Sequence, residues 1–184
     1  MILPSVTIVC SSVHPMWCSE GIEAAMQRGT EVHEACHERA VYDADLWTPI
    51  AAHDKYIEAF QEWKSIYRPV FTAELCEARF KDEAIGYHGQ PDLIATIGKQ
   101  TGVIDIKSGS APPYTDLQCA AYRRGLVATW GKIDFAAWLI LLPSGRFKYH
   151  VMSAIEEATA AADFYAALRI YRRVNKGKLN GGTK

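Results

Sequence analysis

The chain has 184 residues, with 20 basic and 21 acidic side chains and a formal charge of −1. A hydrophobic fraction of 49% beside 22% charged residues excludes disorder as the main state, and the length suits one domain with a proper core. The longest uninterrupted apolar run, Phe135 to Leu142, is too short to span a bilayer, and no basic segment followed by an apolar core opens the chain, so a cytoplasmic protein without membrane contact is expected.

In chain order, Ser5 to Cys10 is a short apolar stretch that reads as a strand or an anchoring segment. Ser19 suits the N-cap of a helix whose stripe runs Ile22, Ala25, Met26, Gly29, His33, Cys36, Ala40. After Pro49 a second helical pattern, His53, Tyr56, Phe60, Trp63, Tyr67, ends before Pro69. The period then changes to two: Phe71, Ala73 and Leu75 alternate with Thr72, Glu74 and Cys76 as a half-buried strand. A second strand is expected over 86–97, with Tyr87, Gly89, Pro91 and Leu93 on one face and His88, Gln90, Asp92 and Ile94 on the other. A third runs from Gly102 to Lys107.

Beyond Pro112 and Pro113, Thr115 and Gln118 have the spacing of a capping box for a helix to about Thr129. Phe135 to Leu142 reads as a buried strand, and a turn at Pro143-Ser144-Gly145 leads into the strand Phe147, Tyr149, Val151. Ser153 and Glu156 form a second capping box for a last helix to about Val174. The order predicts one α/β domain with a mixed sheet between helices. It divides into a helical part (1–68), a sheet region with a helix (69–152), a C-terminal helix (153–175) and a flexible basic tail (176–184).

The charge is uneven. Arg169, Arg172, Arg173, Lys176, Lys178 and Lys184 are joined by no acid, which leaves the first 168 residues at −7. A basic end suits a phosphate-attracting edge and equally the C-terminus of a helix. Five scattered cysteines, Cys10, Cys18, Cys36, Cys76 and Cys119, are odd in number and lack a C-x-x-C pair. They indicate neither a disulfide framework nor a zinc ribbon.

The cluster that carries chemistry is Gly89-Gln90-Pro91-Asp92 with Val103-Ile104-Asp105-Ile106-Lys107-Ser108. Asp105 and Lys107, two apart on a strand, project from one face, and a glycine-flanked hairpin would bring Asp92 beside Asp105. Neighbouring carboxylates repel unless a cation lies between them, and hard oxygen ligands suit Mg²⁺ or Mn²⁺. A lysine there can orient or deprotonate a water, or stabilise charge on a phosphate. An Asp–Lys ion pair on an exposed sheet face fits the spacing equally well.

Pro91-Asp92 with Asp105-Ile106-Lys107 resembles the P-D…(D/E)-x-K signature of the restriction-endonuclease-like, or PD-(D/E)XK, nuclease superfamily. Arg28-Gly29-Thr30-Glu31-Val32-His33 is similar to the R-G-T-x-x-H helix of its RecB-like branch, and Gln118-Cys119-Ala120-Ala121-Tyr122 to that branch's Q-x-x-x-Y motif. Pro4-Ser5-Val6-Thr7 resembles the opening of phage exonucleases and of the mitochondrial genome maintenance exonuclease.

The resemblance, which spans Pro4 to Tyr122, implies a restriction-endonuclease-like α/β core, a mixed central sheet flanked by helices, in a metal-dependent DNA exonuclease of a bacterial or phage-infected cell. It implies Mg²⁺ or Mn²⁺ held by His33, Asp92, Asp105 and the Ile106 carbonyl, with Lys107 positioning or activating the attacking water. Gln118 and Tyr122 would hold the scissile phosphate or the lysine, and Glu74 would support a second metal or a water. Attack would be in line, with metal stabilising the entering and leaving oxygens. No iron–sulfur cluster is expected, since the closely spaced C-terminal cysteines of cluster-bearing relatives are missing.

DNA, as a single strand or a duplex end, is the implied partner, and a homo-oligomer is compatible. Arg28, Ser108, Arg123, Arg124 and the Arg169–Lys178 stretch are candidate backbone contacts, and Trp17, Trp47 and Trp63 could stack unpaired bases. Three alternatives accompany this reading: an endonuclease of the same fold, a catalytically silent DNA-binding module, and a zinc protease. The last rests on His33-Glu34-Ala35-Cys36-His37, which spells H-E-x-x-H, but it leaves Asp92 to Lys107 unexplained.

Overall fold

A computed structural model describes residues 3–13, 22–42, 53–72 and 78–176. The apolar opening is a helix, α1 (Val6–Val13), and not a strand. Ser5 caps it, its Oγ accepting from Ile8 N at 3.2 Å. The anchoring half of the expectation holds, because Ser5 bridges to His88 and Pro4 O accepts from His88 N at 3.1 Å. Helices α2 (Ile22–Val41) and α3 (Asp54–Tyr67) follow; Ser19, Trp17 and Trp47 lie outside the described residues. Arg68, in the left-handed region with φ 47°, ends α3 just before Pro69.

The expected strand around Phe71 is described only as β1 (Val70–Phe71); Ala73, Glu74, Leu75 and Cys76 lie outside the described residues. The expected strand over 86–97 is two strands, β3 (Tyr87–Gly89) and β4 (Leu93–Ile97). The break falls at Pro91, which has no N–H for a ladder. A strand absent from the sequence reading, β2 (Phe80–Asp82), pairs antiparallel with β3.

Then come β5 (Gln100–Ser108), α4 (Thr115–Trp130), β6 (Phe135–Leu141), β7 (Phe147–Val151) and α5 (Ala154–Val174). The sheet order is β1-β4-β5-β6-β7, with β2-β3 a separate ribbon. β5 and β6 run parallel and the other neighbours antiparallel, since α4 supplies the crossover that a parallel pair needs.

Alternation along β5 divides the core. Val103 faces a layer built with α1, α4, α5 and the ribbon, whereas Ile104 and Ile106 face α2 and α3. The fold is thus the mixed α/β class expected, a five-stranded mixed sheet with helices on both faces, consistent with a restriction-endonuclease-like architecture. No described helix is long and apolar enough to cross a membrane.

The Ser153–Glu156 capping box is present, with bonds of 3.2 and 2.7 Å. The one expected at Thr115 is not: Tyr114 holds the N-cap position and the Thr115 hydroxyl donates to Pro112 O at 2.7 Å. Trp63 is fully buried, stacked on Phe60 at 5.6 Å, so it cannot stack a base. Cys10, Cys36 and Cys119 are buried free thiols, and burial pushes that of Cys10 up to about 12.

Gly125 of α4 lets the ribbon approach, because a Cβ there would collide with the Phe80 ring. That ring is 3% exposed and wedged between Tyr87 and Tyr122, so it has little room to swing. Alanine gains about 1 kcal/mol in helix propensity, against about 1–3 kcal/mol for overpacking. Gly125→Ala is therefore expected to lower Tm by about 2–4 °C in a thermal melt; an unchanged or raised Tm would contradict this packing.

Candidate active site

The antiparallel register of β4 on β5 pairs Leu93 with Ile104, so Asp92, one residue before β4, comes level with Asp105. The tight turn at Gly98, with φ +63°, sets that register. Asp105 is 1% exposed, and Lys107 shares its face two residues on, with Nζ 2.6 Å from Asp105 Oδ2. That oxygen is buried, so the ammonium of Lys107 compensates a charge that water does not reach. Asp92 Oδ2 accepts from Ile106 N at 2.7 Å, and its Oδ1 lies 3.3 Å from His33 Nδ1.

Helix α2 reaches the end of the sheet because its C-terminal half is anchored by Val32, Ala35, Cys36 and Ala40 in the α3-side core. Its Gly29–His33 turn therefore passes the ends of the strands. From the other side, α4 turns Gln118 and Tyr122 inward, one helical turn apart. Gln118 Oε1 accepts from Lys107 Nζ at 3.2 Å and Gln118 Nε2 donates to Tyr122 Oη at 2.9 Å. Gln118 is thus a tether for the lysine and not the capping residue its spacing suggests. Thr7 of α1 hydrogen-bonds Tyr122 and extends the chain; its place among Pro4–Thr7 was visible in sequence, its partner was not.

Burial pushes the Asp105 carboxyl up to about 6, opposed by Lys107 and reinforced by Asp92. Burial would do the same to Asp92, but His33, Lys107 and the Ile106 N–H outweigh it and hold that carboxyl below its ordinary value. Burial alone would lower both His33 and Lys107. For His33 the Asp92 carboxylate more than offsets this, and for Lys107 the Asp105 and Asp92 carboxylates do so. Lys107 is therefore a firmly protonated ammonium in this arrangement, a charge and a hydrogen-bond donor and not a free base.

A groove of about 320 Å³ opens beside His33 and Lys107, lined also by Arg28, Gly29, Ser108 and Ser110. Arg28 lies over the Tyr56 ring at 5.8 Å, and its Nε is buried without a hydrogen-bond partner. The structure therefore brings together His33, Asp92, Asp105, Ile106, Lys107, Gln118, Tyr122, Arg28 and Ser108. It places Arg123 and Arg124 elsewhere. Arg123 Nη1 donates to both Glu157 oxygens at 2.7 Å, and Arg124 Nε lies 2.9 Å from the same carboxylate. Glu157 on α5 thus binds both guanidiniums expected from the sequence to contact DNA.

Among the described residues, no three His, Cys, Asp or Glu side chains form a ready-made metal cage. His33 faces Asp92, and Glu34, the general base that the H-E-x-x-H reading requires, is exposed.

The profile of the PD-(D/E)XK nuclease superfamily matches residues 15–182. A comparison with curated proteins finds no match. Among solved structures, the crystal structure of SSO0001 is similar over 86% of this chain and 82% of its own at 12% identity, with a TM-score of 0.33, a likeness too distant to bear on function.

Removing Lys107 strands the buried Asp105 carboxylate. Without divalent ions at pH 8, Lys107→Ala is expected to lose about 3 kcal/mol in urea unfolding, and adding Asp105→Asn to restore most of it. A Lys107→Ala protein as stable as wild type would contradict the pairing.

Proposed function

The chain belongs to the PD-(D/E)XK nuclease superfamily, and from that premise we propose that it is a Mg²⁺- or Mn²⁺-dependent deoxyribonuclease acting as an exonuclease. The observation that carries this is the juxtaposition of Asp92 and Asp105 at one sheet end with Lys107 between the acids and the groove. A nuclease is a hydrolase of nucleic acid; the choice of DNA, of exonucleolytic action and of metal rests on the motif resemblance together with this donor set.

The donor set fits a hard divalent cation. Asp105 Oδ2 is buried against the Lys107 ammonium, a cationic contact that a divalent ion can replace, and Asp92 presents a carboxylate that is 23% exposed. The Ile106 N–H faces Asp92, and in an extended strand the carbonyl of the same residue faces the same edge. Asp92, Asp105, His33 and the Ile106 carbonyl would hold the ion. When bound, a divalent ion supplies charge stabilisation for the oxygens entering and leaving phosphorus.

The chain's own groups do the rest. Asp92 and Asp105 lie behind His33 and Lys107, which line the groove, and Lys107, tethered by Gln118 and Tyr122, directs its amine to the water and the developing phosphate charge. Arg28 and Ser108 hold the strand along the groove. Lys107 would position or activate the attacking water and stabilise charge developing on the phosphate. A helper role for Glu74 remains part of the proposal from sequence alone.

With Mg²⁺ or Mn²⁺, wild type is expected to degrade end-labelled linear DNA and spare covalently closed circles, EDTA to abolish cleavage, and Lys107→Ala to lose about 100-fold or more in rate. Cutting of closed circles would establish an endonuclease, and full activity of Lys107→Ala would falsify the mechanism. In a separate assay, millimolar Mn²⁺ is expected to raise wild-type Tm, as any ligand of the native state does, but not that of the Asp92→Asn/Asp105→Asn protein. An equal rise in both would place the ion elsewhere.

A further inference from the structure

Outside the acid cluster, a strip of cationic side chains leads away from the groove along the β2–β3 ribbon. The ladder pairs Phe80 with Gly89, Lys81 with His88 and Asp82 with Tyr87, which sets Arg79 opposite Gln90. Phe80, Tyr87 and Gly89 are buried, whereas Lys81, His88 and Arg79 are exposed, so the outward face carries Arg79–Gln90 and Lys81–His88 as cross-strand pairs. Arg79 Nε donates to Gln90 Oε1 at 3.0 Å, two residues from Asp92. The inward face is fixed: Tyr87 donates to Ala121 O at 3.0 Å and Phe80 packs on Tyr122. Two hollows flank the outward face, one of about 340 Å³ reaching Thr7 and Tyr122 and one of about 410 Å³ beside Lys81.

At the far end of the ribbon, α5 adds to the strip. Arg172 donates to the carbonyls of Ile85 and Gly86, which pins the C-terminal turn of α5 to the β2–β3 turn. Arg169, Arg172 and Arg173 recur at i, i+3 and i+4, hence on one helix face, with Lys176 just past the C-cap Asn175. Arg169, Arg173 and Lys176 are exposed, and the acids of α5 stop at Asp163. Favourable placement against the helix dipole accounts for cations in the last turn only. It does not account for Arg169, nor for Arg79 and Lys81 on a different element. Lys81 touches Glu83 at 2.7 Å with both side chains exposed, a contact too weak and too easily screened to keep a polyanion away.

We propose that this strip is a phosphate-backbone track holding the DNA that flanks the bond to be cut. The proposal rests on the nuclease reading above and adds where the rest of the strand lies. Six residues separate Asp92 from Gly86, up to about 20 Å at strand rise, or roughly six nucleotides at about 3.4 Å per step of one strand. Lys81, opposite His88 and four residues from Asp92, lies within that reach at about 13 Å, whereas substrates that extend farther gain contacts with Arg169 and Arg173 that shorter ones cannot make.

The test compares full-length wild type with Lys81→Ala/Arg169→Ala/Arg173→Ala and with a charge-keeping Lys81→Arg/Arg169→Lys/Arg173→Lys control, on labelled 6- and 30-nucleotide DNA. For the long strand the alanine protein is expected to raise KM roughly tenfold with kcat held, and to flatten the slope of log K against log salt by about 2–3, while the control behaves as wild type. Binding of the 30-nucleotide strand in EDTA, read by fluorescence anisotropy, gives that salt slope without any cleavage. A protein that shows the slope change yet cuts nothing therefore supports the track and overturns the nuclease reading. An unchanged slope, or a KM raised equally on both lengths, overturns the track.

Discussion

Two carboxylates brought side by side where water is scarce repel one another, and the surroundings of Asp92 and Asp105 answer that repulsion. The β4–β5 register leaves no choice about their proximity, because slipping one residue would turn every side chain of the strand to the other face and expose the core. Lys107 meets Asp105, while His33 and the Ile106 N–H meet Asp92. These pairings compensate the acids only in part: burial keeps the Asp105 carboxyl pushed up to about 6 even with Lys107 2.6 Å away. A site of this kind is costly to stability and suited to a divalent cation.

The remaining architecture holds that arrangement from both faces. On one side, α2 is anchored by its C-terminal half so that its earlier turn delivers His33 and Arg28 to the rim. On the other, α4 approaches the ribbon through Gly125 and presents Gln118 and Tyr122 to the lysine. The chain Lys107–Gln118–Tyr122–Thr7 joins the acids to α1, which is itself tied to β3 through Pro4 and Ser5. The proposed hydrolytic centre and the proposed backbone track thus share one support, the packing of β2–β3 on α4.

Much of this was legible in the sequence where local pattern and tertiary demand agree. The two-residue period around Asp105 and Lys107, bounded by glycines, gave the hairpin and its paired acids; the stripe from Tyr56 to Tyr67 gave α3, and the Ser153–Glu156 box gave the start of α5. Where a residue has two local uses, the pattern misleads. Gln118 sits at the spacing of a capping box, yet it is recruited by Lys107 across the fold. Arg123 and Arg124 look free until Glu157, more than thirty residues later, closes on them. The strand β2 is three residues long and carries Lys81 and Asp82, too little hydrophobic alternation to register, and it is specified mainly by Phe80 meeting Gly89 and Gly125.

The central claim is that Asp92 and Asp105 jointly hold a divalent ion beside Lys107. A crystal soaked in manganese, examined by anomalous scattering, tests it most directly. The account predicts an anomalous peak touching both carboxylates, with the lysine ammonium displaced from Asp105. Density with Lys107 still against Asp105, and manganese elsewhere or nowhere, would contradict it.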